Sequence, residues 1–137
     1  MISLKKIQYN DLNSKQQEIY NFQKLAASLA DYGFNCMWLN DDWQGADFLA
    51  YHKDGNDTLK VQLKGRLTID KKYQGKDIYM AFPLNGDWYL IYHDSLIEII
   101  SDNTKWLLSS SWKSAGGYSS SSPNKDLRAA IKDYKVT

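Results

Sequence analysis

The stretch GADFLAYHKDGNDTLKVQLK, residues 45–64, decides the fold. Two short runs with alternating apolar residues flank Asp54, Gly55, Asn56 and Asp57, residue types that tolerate positive φ, so the stretch predicts a β-hairpin. With Gly55 and Asn56 as a two-residue loop, Asp54 opposes Asp57, and counting outward makes Asp47 face Lys64 with Gln62 diagonal to it. Alternation then puts Asp47, Gln62 and Lys64 on one face, which carries chemistry. Phe48, Ala50, Leu59, Val61 and Leu63 lie on the other, which is core. A one-residue slip would send Gln62 and Lys64 to the opposite side from Asp47. In this register a carboxylate, an amide oxygen and an ammonium meet on two adjacent strands, a grouping suited to metal-assisted phosphodiester chemistry.

Upstream, Ser14 and Gln17 have capping-box spacing, and Ile19, Phe22, Leu25, Ala26 and Leu29 recur with helical period until Gly33. A helix over about residues 14–32 is expected. Residues 34–39 have strand character, which Asn40, Asp41 and Asp42 are expected to break. Downstream, residues 67–69, 77–82 and 87–92 read as strands, the last two joined by an Asn85-Gly86 turn. The segment 96–100 reads as a short helix or, because of its β-branched residues, a strand. The Ser- and Gly-rich segment 109–122 is expected to be a disordered loop or one ordered by a ligand. Pro123 opens a last helix with Ser122 as its cap. The fold class that follows is α/β (α+β): an N-terminal helix followed by a central mixed β-sheet flanked by helices.

A chain of 137 residues with 43% hydrophobic content has room for one core and not for two, so a single domain spanning 1–137 is expected. Residues 1–60 carry six basic against eight acidic residues, and residues 61–137 eleven against eight. Basic charge therefore gathers after the hairpin, a mild asymmetry that by itself suits a solvated surface as well as a nucleic-acid footprint. The lone Cys36 offers neither a disulfide framework nor a cysteine metal site and reads as a buried strand residue. No apolar run approaches a membrane span and no leader pattern opens the chain, so a cytoplasmic protein without membrane partners is expected. His52 and His93 have no ligand-spaced partner for zinc, and a strand-end or capping role suits them better. Ser119 to Ser122 have no base to activate them.

A helix followed by a sheet, with an acid on one strand and a residue-x-Lys on the next, resembles the PD-(D/E)xK nuclease superfamily over about residues 14–92. The resemblance implies a restriction-endonuclease-like fold and a Mg²⁺-dependent endodeoxyribonuclease, with Mn²⁺ as an alternative ion. Carried over, Asp47 and Gln62 would hold the ion with help from Glu18, and Lys64 would assist the attacking water. Ala46 stands where the motif has proline, and Gln62 replaces its usual acid, leaving a neutral oxygen ligand that weakens metal binding. Glu18 shares the helix stripe of Phe22, Leu25 and Leu29, which aims it toward the sheet.

Arg66 would continue the face of Lys64 if the strand persists, and Lys71, Lys72 and Lys76 flank Tyr73 in the following loop, so all four are candidate DNA contacts. Because one such domain cuts one strand, a homodimer or higher homo-oligomer is expected. Duller readings stand beside these. Asp47 and Lys64 can form an ordinary surface ion pair, Glu18 can favour its helix start through the dipole, and Gln62 can merely pack on the sheet. Two alternatives to a nuclease follow: a catalytically inactive nucleic-acid-binding member of the same fold, favoured by the neutral Gln62, and a protein-binding regulatory module that uses the many Tyr and Trp residues as its interface.

Overall fold

The computed structural model describes residues 2–137, which fold as an α+β structure around a central mixed sheet. Helix α1 (Ser14–Ala30) is capped one residue earlier than the Ser14 spacing suggests. Asn13 accepts the Gln16 N–H at 2.9 Å, and the Gln16 side chain accepts the Asn13 N–H at 3.0 Å. Leu25 and Leu29 are buried, whereas Ile19 faces solvent and does not belong to the apolar stripe.

Strand β1 (Phe34–Trp43) continues through Asn40, Asp41 and Asp42, which do not break it. Its pairing with β2 (Ala46–His52) skips from Trp38–Phe48 to Trp43–Ala46, so the polar residues are absorbed as an irregularity in the ladder. Gln44 and Gly45 both have positive φ, as a tight hairpin turn requires. Cys36 is only partly buried in β1, where burial pushes its thiol up to about 11.

The hairpin of β2 and β3 (Thr58–Leu63) differs from the expected register. Phe48 pairs with Val61, Ala50 with Leu59 and Tyr51 with Thr58, and the His52 N–H donates to the Asp57 carbonyl at 2.8 Å. The loop is therefore four residues, Lys53 to Asn56, closed by Asp54, whose side chain accepts the Asn56 N–H at 2.8 Å. Asp47 aligns with Gln62 and not with Lys64. The slip is by two residues, and an even slip leaves every side chain on its expected face.

From β3 the chain passes through β4 (Leu67–Asp70) and a single 3₁₀ turn, Lys71–Tyr73, to β5 (Ile78–Leu84). Strand β5 lies parallel to β3, and β6 (Asp87–Tyr92) returns antiparallel across the Asn85-Gly86 turn. The sheet order is β1-β2-β3-β5-β6. Residues 96–100 belong to helix α2 (His93–Asn103). The Ser- and Gly-rich segment is ordered by the chain itself, not left as a loose loop. Trp112 is buried in a wide turn, and β7 (Gly117–Ser120) pairs antiparallel with β4, with Tyr118 stacked on Trp106 at 4.4 Å. Helix α3 (Lys125–Ile131) is capped by Asn124, not Ser122.

Both faces of the sheet are core, as expected of a sheet flanked by helices. Helix α1 covers Phe48, Ala50, Val61, Leu63, Ala81 and Trp88 on one side. On the other, Leu67, Ile69, Leu96, Ile100, Leu127 and Ile131 pack against Ile78, Met80, Phe82 and Ile91 of β5 and β6. Over β1 and β2 this second layer reaches only Leu39 and Ala46, and Met37 remains 49% and Tyr51 43% exposed. The polar face of the hairpin lies at that boundary. No helix of the described residues is long and apolar enough to cross a membrane.

Candidate active site

Asp47 stands at the start of β2, on the face away from α1. Its Oδ2 accepts the backbone N–H of Leu63 at 2.8 Å, which leaves Oδ1 for a ligand. Burial pushes its carboxyl up to about 6, against the lowering pull of that hydrogen bond; Asp42 and Glu18 push it further up, and Lys64 pulls it down. Asp47 is thus a carboxylate in an acidic, partly dry setting, where its charge calls for a cation.

Gln62, only 8% exposed, aligns with Asp47 across the hairpin and lines a cleft of about 610 Å³ together with Asp42, Gln44, Gly45, Lys60, Lys72, Tyr73, Gly75 and Lys76. Lys64 follows the last residue of β3. It lines a smaller pocket of about 180 Å³ with Glu18 and Gly65, while its Nζ lies 5.8 Å from the centre of the Tyr73 ring. Glu18 comes from the helix on the opposite side of the sheet and is held by Lys15 at 3.7 Å, so it approaches Asp47 around the end of β3. Of the four residues named from the sequence, Gln62 lines the large cleft, Lys64 and Glu18 share the small pocket, and Asp47, which lines neither, feels the charges of Glu18 and Lys64.

The basic candidates part company. Lys72 lines the large cleft with its ammonium 5.2 Å from the Tyr73 ring centre. Lys71 is turned away, its ammonium 5.4 Å over Trp112 and its stem against Gly116. Arg66 is exposed beyond the end of β3, and the break at Gly65 prevents strand alternation from carrying it onto the face of Lys64. Lys76, the fourth candidate, lines the cleft, and so does Lys60, which the expected contacts did not include. The Lys60 Nζ donates to Gln44 Oε1 at 3.2 Å and to the Lys76 carbonyl at 2.8 Å. Alternation alone places Lys60 on the face of Gln62, so its position was readable from the hairpin.

The cleft wall formed by residues 70–76 is fastened from beneath. His93, fully buried at the start of α2, accepts the Asp70 N–H on Nε2 at 3.1 Å. Nδ1 then carries the ring proton and faces Asp94 Oδ1 at 3.4 Å, and the Asp94 carboxylate accepts the Gly75 N–H at 3.1 Å. Burial lowers the pKa of His93, which favours this neutral form. The expected capping role thus becomes a two-point clamp on the loop that carries Lys72 and Tyr73.

Among the described residues no three of His, Cys, Asp and Glu come together as a self-sufficient metal site. The donors present are hard oxygens: Asp47 Oδ1, the Gln62 amide, and Glu18 within electrostatic reach. Such a set fits Mg²⁺, which keeps several of its waters, better than an ion that needs a closed protein cage. Neither the profiles of known protein families nor the curated proteins provide a match to this chain.

Proposed function

We propose that this chain is a divalent-cation-dependent DNA endonuclease with a restriction-endonuclease-like core. The observation that carries the reading is Asp47, tied to the end of β3 by Leu63, its carboxyl pushed up by burial, level with Gln62, which lines a cleft rimmed by Lys60, Lys72 and Lys76. An acid beside a basic rim suits a phosphodiester: the rim would neutralise flanking phosphates, and the acid would hold the ion that acts on one of them. The succession of helix, three-stranded meander and parallel β5 supports the same scaffold.

Asp47 and Gln62, with Glu18, would hold Mg²⁺ or Mn²⁺. A bound ion would polarise the scissile phosphate and make a bound water more acidic. Lys64 places its ammonium where negative charge develops and can orient the attacking water. Lys60 and Lys72 position the backbone on either side of the cleft. One site cuts one strand, so duplex cleavage uses a homodimer or higher homo-oligomer. The neutral Gln62 favours a second reading, a nucleic-acid-binding protein of the same fold that does not cut.

Cleavage of plasmid and branched DNA with Mg²⁺ or Mn²⁺ separates the two readings. The nuclease reading expects cutting by the wild type and none by Lys64→Ala. Equal cutting by both overturns it, and salt-sensitive binding without cutting leaves the second.

A further inference from the structure

We propose that Tyr73 is a further catalytic residue, whose phenol donates a hydrogen bond to a non-bridging oxygen of the phosphate that Asp47 and Lys64 address. The proposal rests on the nuclease reading and adds to it a group outside the acid and lysine pattern.

The placement of the ring carries the argument. Tyr73 is 5% exposed, yet it lines the large cleft with Gln62. Its ring meets His93 edge to face at 5.6 Å, and a side chain added at Gly45 would lie 3.7 Å from its Cδ1. Lys64 and Lys72 stand over it at 5.8 and 5.2 Å. The backbone that bears the ring is fixed at Asp70 by His93, at Gly75 by Asp94, and within the turn by Asp70 Oδ1, which accepts the Lys72 N–H at 2.9 Å. The turn is thus held at three points, and the residue it presents to the cleft is Tyr73.

No group of the described residues hydrogen-bonds that hydroxyl, and no fully buried side-chain polar atom is left without a partner, so the hydroxyl opens into the cleft. Burial and the nearby Asp47 push its pKa up to about 12, so it keeps its proton and remains a donor at any working pH. A neutral donor there adds a directed hydrogen bond without another charge to compensate. The phenol makes and breaks no covalent bond; it holds the phosphate oxygen while charge builds on it.

Tyr73→Phe removes one oxygen atom and keeps the packing. The test measures single-turnover cleavage by the wild type, Tyr73→Phe and Asp47→Ala, and the affinity of each for a short oligonucleotide in Mg²⁺. Tyr73→Phe is expected to cut about 10- to 100-fold more slowly and to bind severalfold more weakly. A methylphosphonate at the central linkage, which deletes the acceptor oxygen, should erase the difference in binding between Tyr73→Phe and wild type; a purely structural role would leave that difference intact. Equal rates and affinities for the two proteins overturn the proposal, as does a binding loss that persists on the methylphosphonate. If the wild type binds but never cuts, or Asp47→Ala cuts normally, the nuclease reading falls, and the binding comparison still decides whether Tyr73 contacts the phosphate.

Discussion

Asp47 on β2 is bound to Leu63 on β3 through a 2.8 Å hydrogen bond from backbone N–H to carboxylate, beyond the point where the β2–β3 pairing ends at Phe48 and Val61. The bond fixes the carboxylate but does not offset its burial, since the carboxyl is still pushed up to about 6. The folded chain holds this proton more tightly than the unfolded one. The resulting stability is present below the ordinary carboxyl range and is lost as pH rises through 6. Asp47→Asn, neutral throughout, should therefore be more stable than wild type at pH 8 by about 1 kcal/mol after solvent screening, and no more stable near pH 3. Urea melts at the two pH values check this; a variant less stable at pH 8 would show that the Leu63 bond outweighs the burial.

A cation at Asp47 competes with that same proton. Mg²⁺ or Mn²⁺ affinity should be level above about pH 7 and fall about tenfold per unit well below 6, because the ligand must be deprotonated. Calorimetric titration at pH 5 and 7.5 reads the difference, and Asp47→Ala should abolish uptake at both.

The lysines of the cleft should differ from their neighbour. Lys60→Ala and Lys72→Ala should each lower the slope of log affinity for DNA against log salt by about one, as expected for a lost phosphate contact. Lys71→Ala should leave the slope unchanged, because its ammonium lies over Trp112. A salt series on a short duplex measures all three.

Removal of the His93 ring strips the half-buried Asp70 N–H of its acceptor. His93→Ala should cost about 1–3 kcal/mol for the unpaired donor. Because burial lowers the pKa of His93, the unfolded chain takes up the proton first. Relative to His93→Ala, which shares the contribution of Asp47, the wild type should then lose stability as pH falls below 6.5. Thermal melts of both proteins between pH 5 and 8 test the sign.

Trp112 is the anchor of the Ser- and Gly-rich segment. Trp112→Ala should cost about 3 kcal/mol or more and expose the amides of β4 and β7 before those of the main sheet. Hydrogen exchange resolved by residue measures the order of opening.

The hairpin was legible because two strand patterns with positive-φ residue types between them leave few alternatives, and because faces depend only on parity. Loop length was not: Asp54 closes a four-residue loop with its own side chain, and that competes well with a two-residue turn. Asn40, Asp41 and Asp42 looked like a break because propensity favours one, and the ladder does lapse there, yet the strand runs on and pairs again at Trp43 with Ala46. The segment 109–122 misled for a different reason. Its serines and glycines signal freedom, and what orders it is pairing with β4, far away in sequence. Tyr73 escaped notice since nothing local marks it; its setting is made by His93, Asp94 and Gly45 from three separate places.

The dependence of β4 on β7 also governs when the cleft comes into being. Leu67 pairs with Ser120, so on a ribosome the hairpin bearing Asp47 emerges well before the strand that steadies the wall behind it. A nascent chain would hold its acid, amide and lysine with the Tyr73 side still open. The cleft would then be complete only once residues 117–120 have followed the hairpin out of the ribosome and paired with β4.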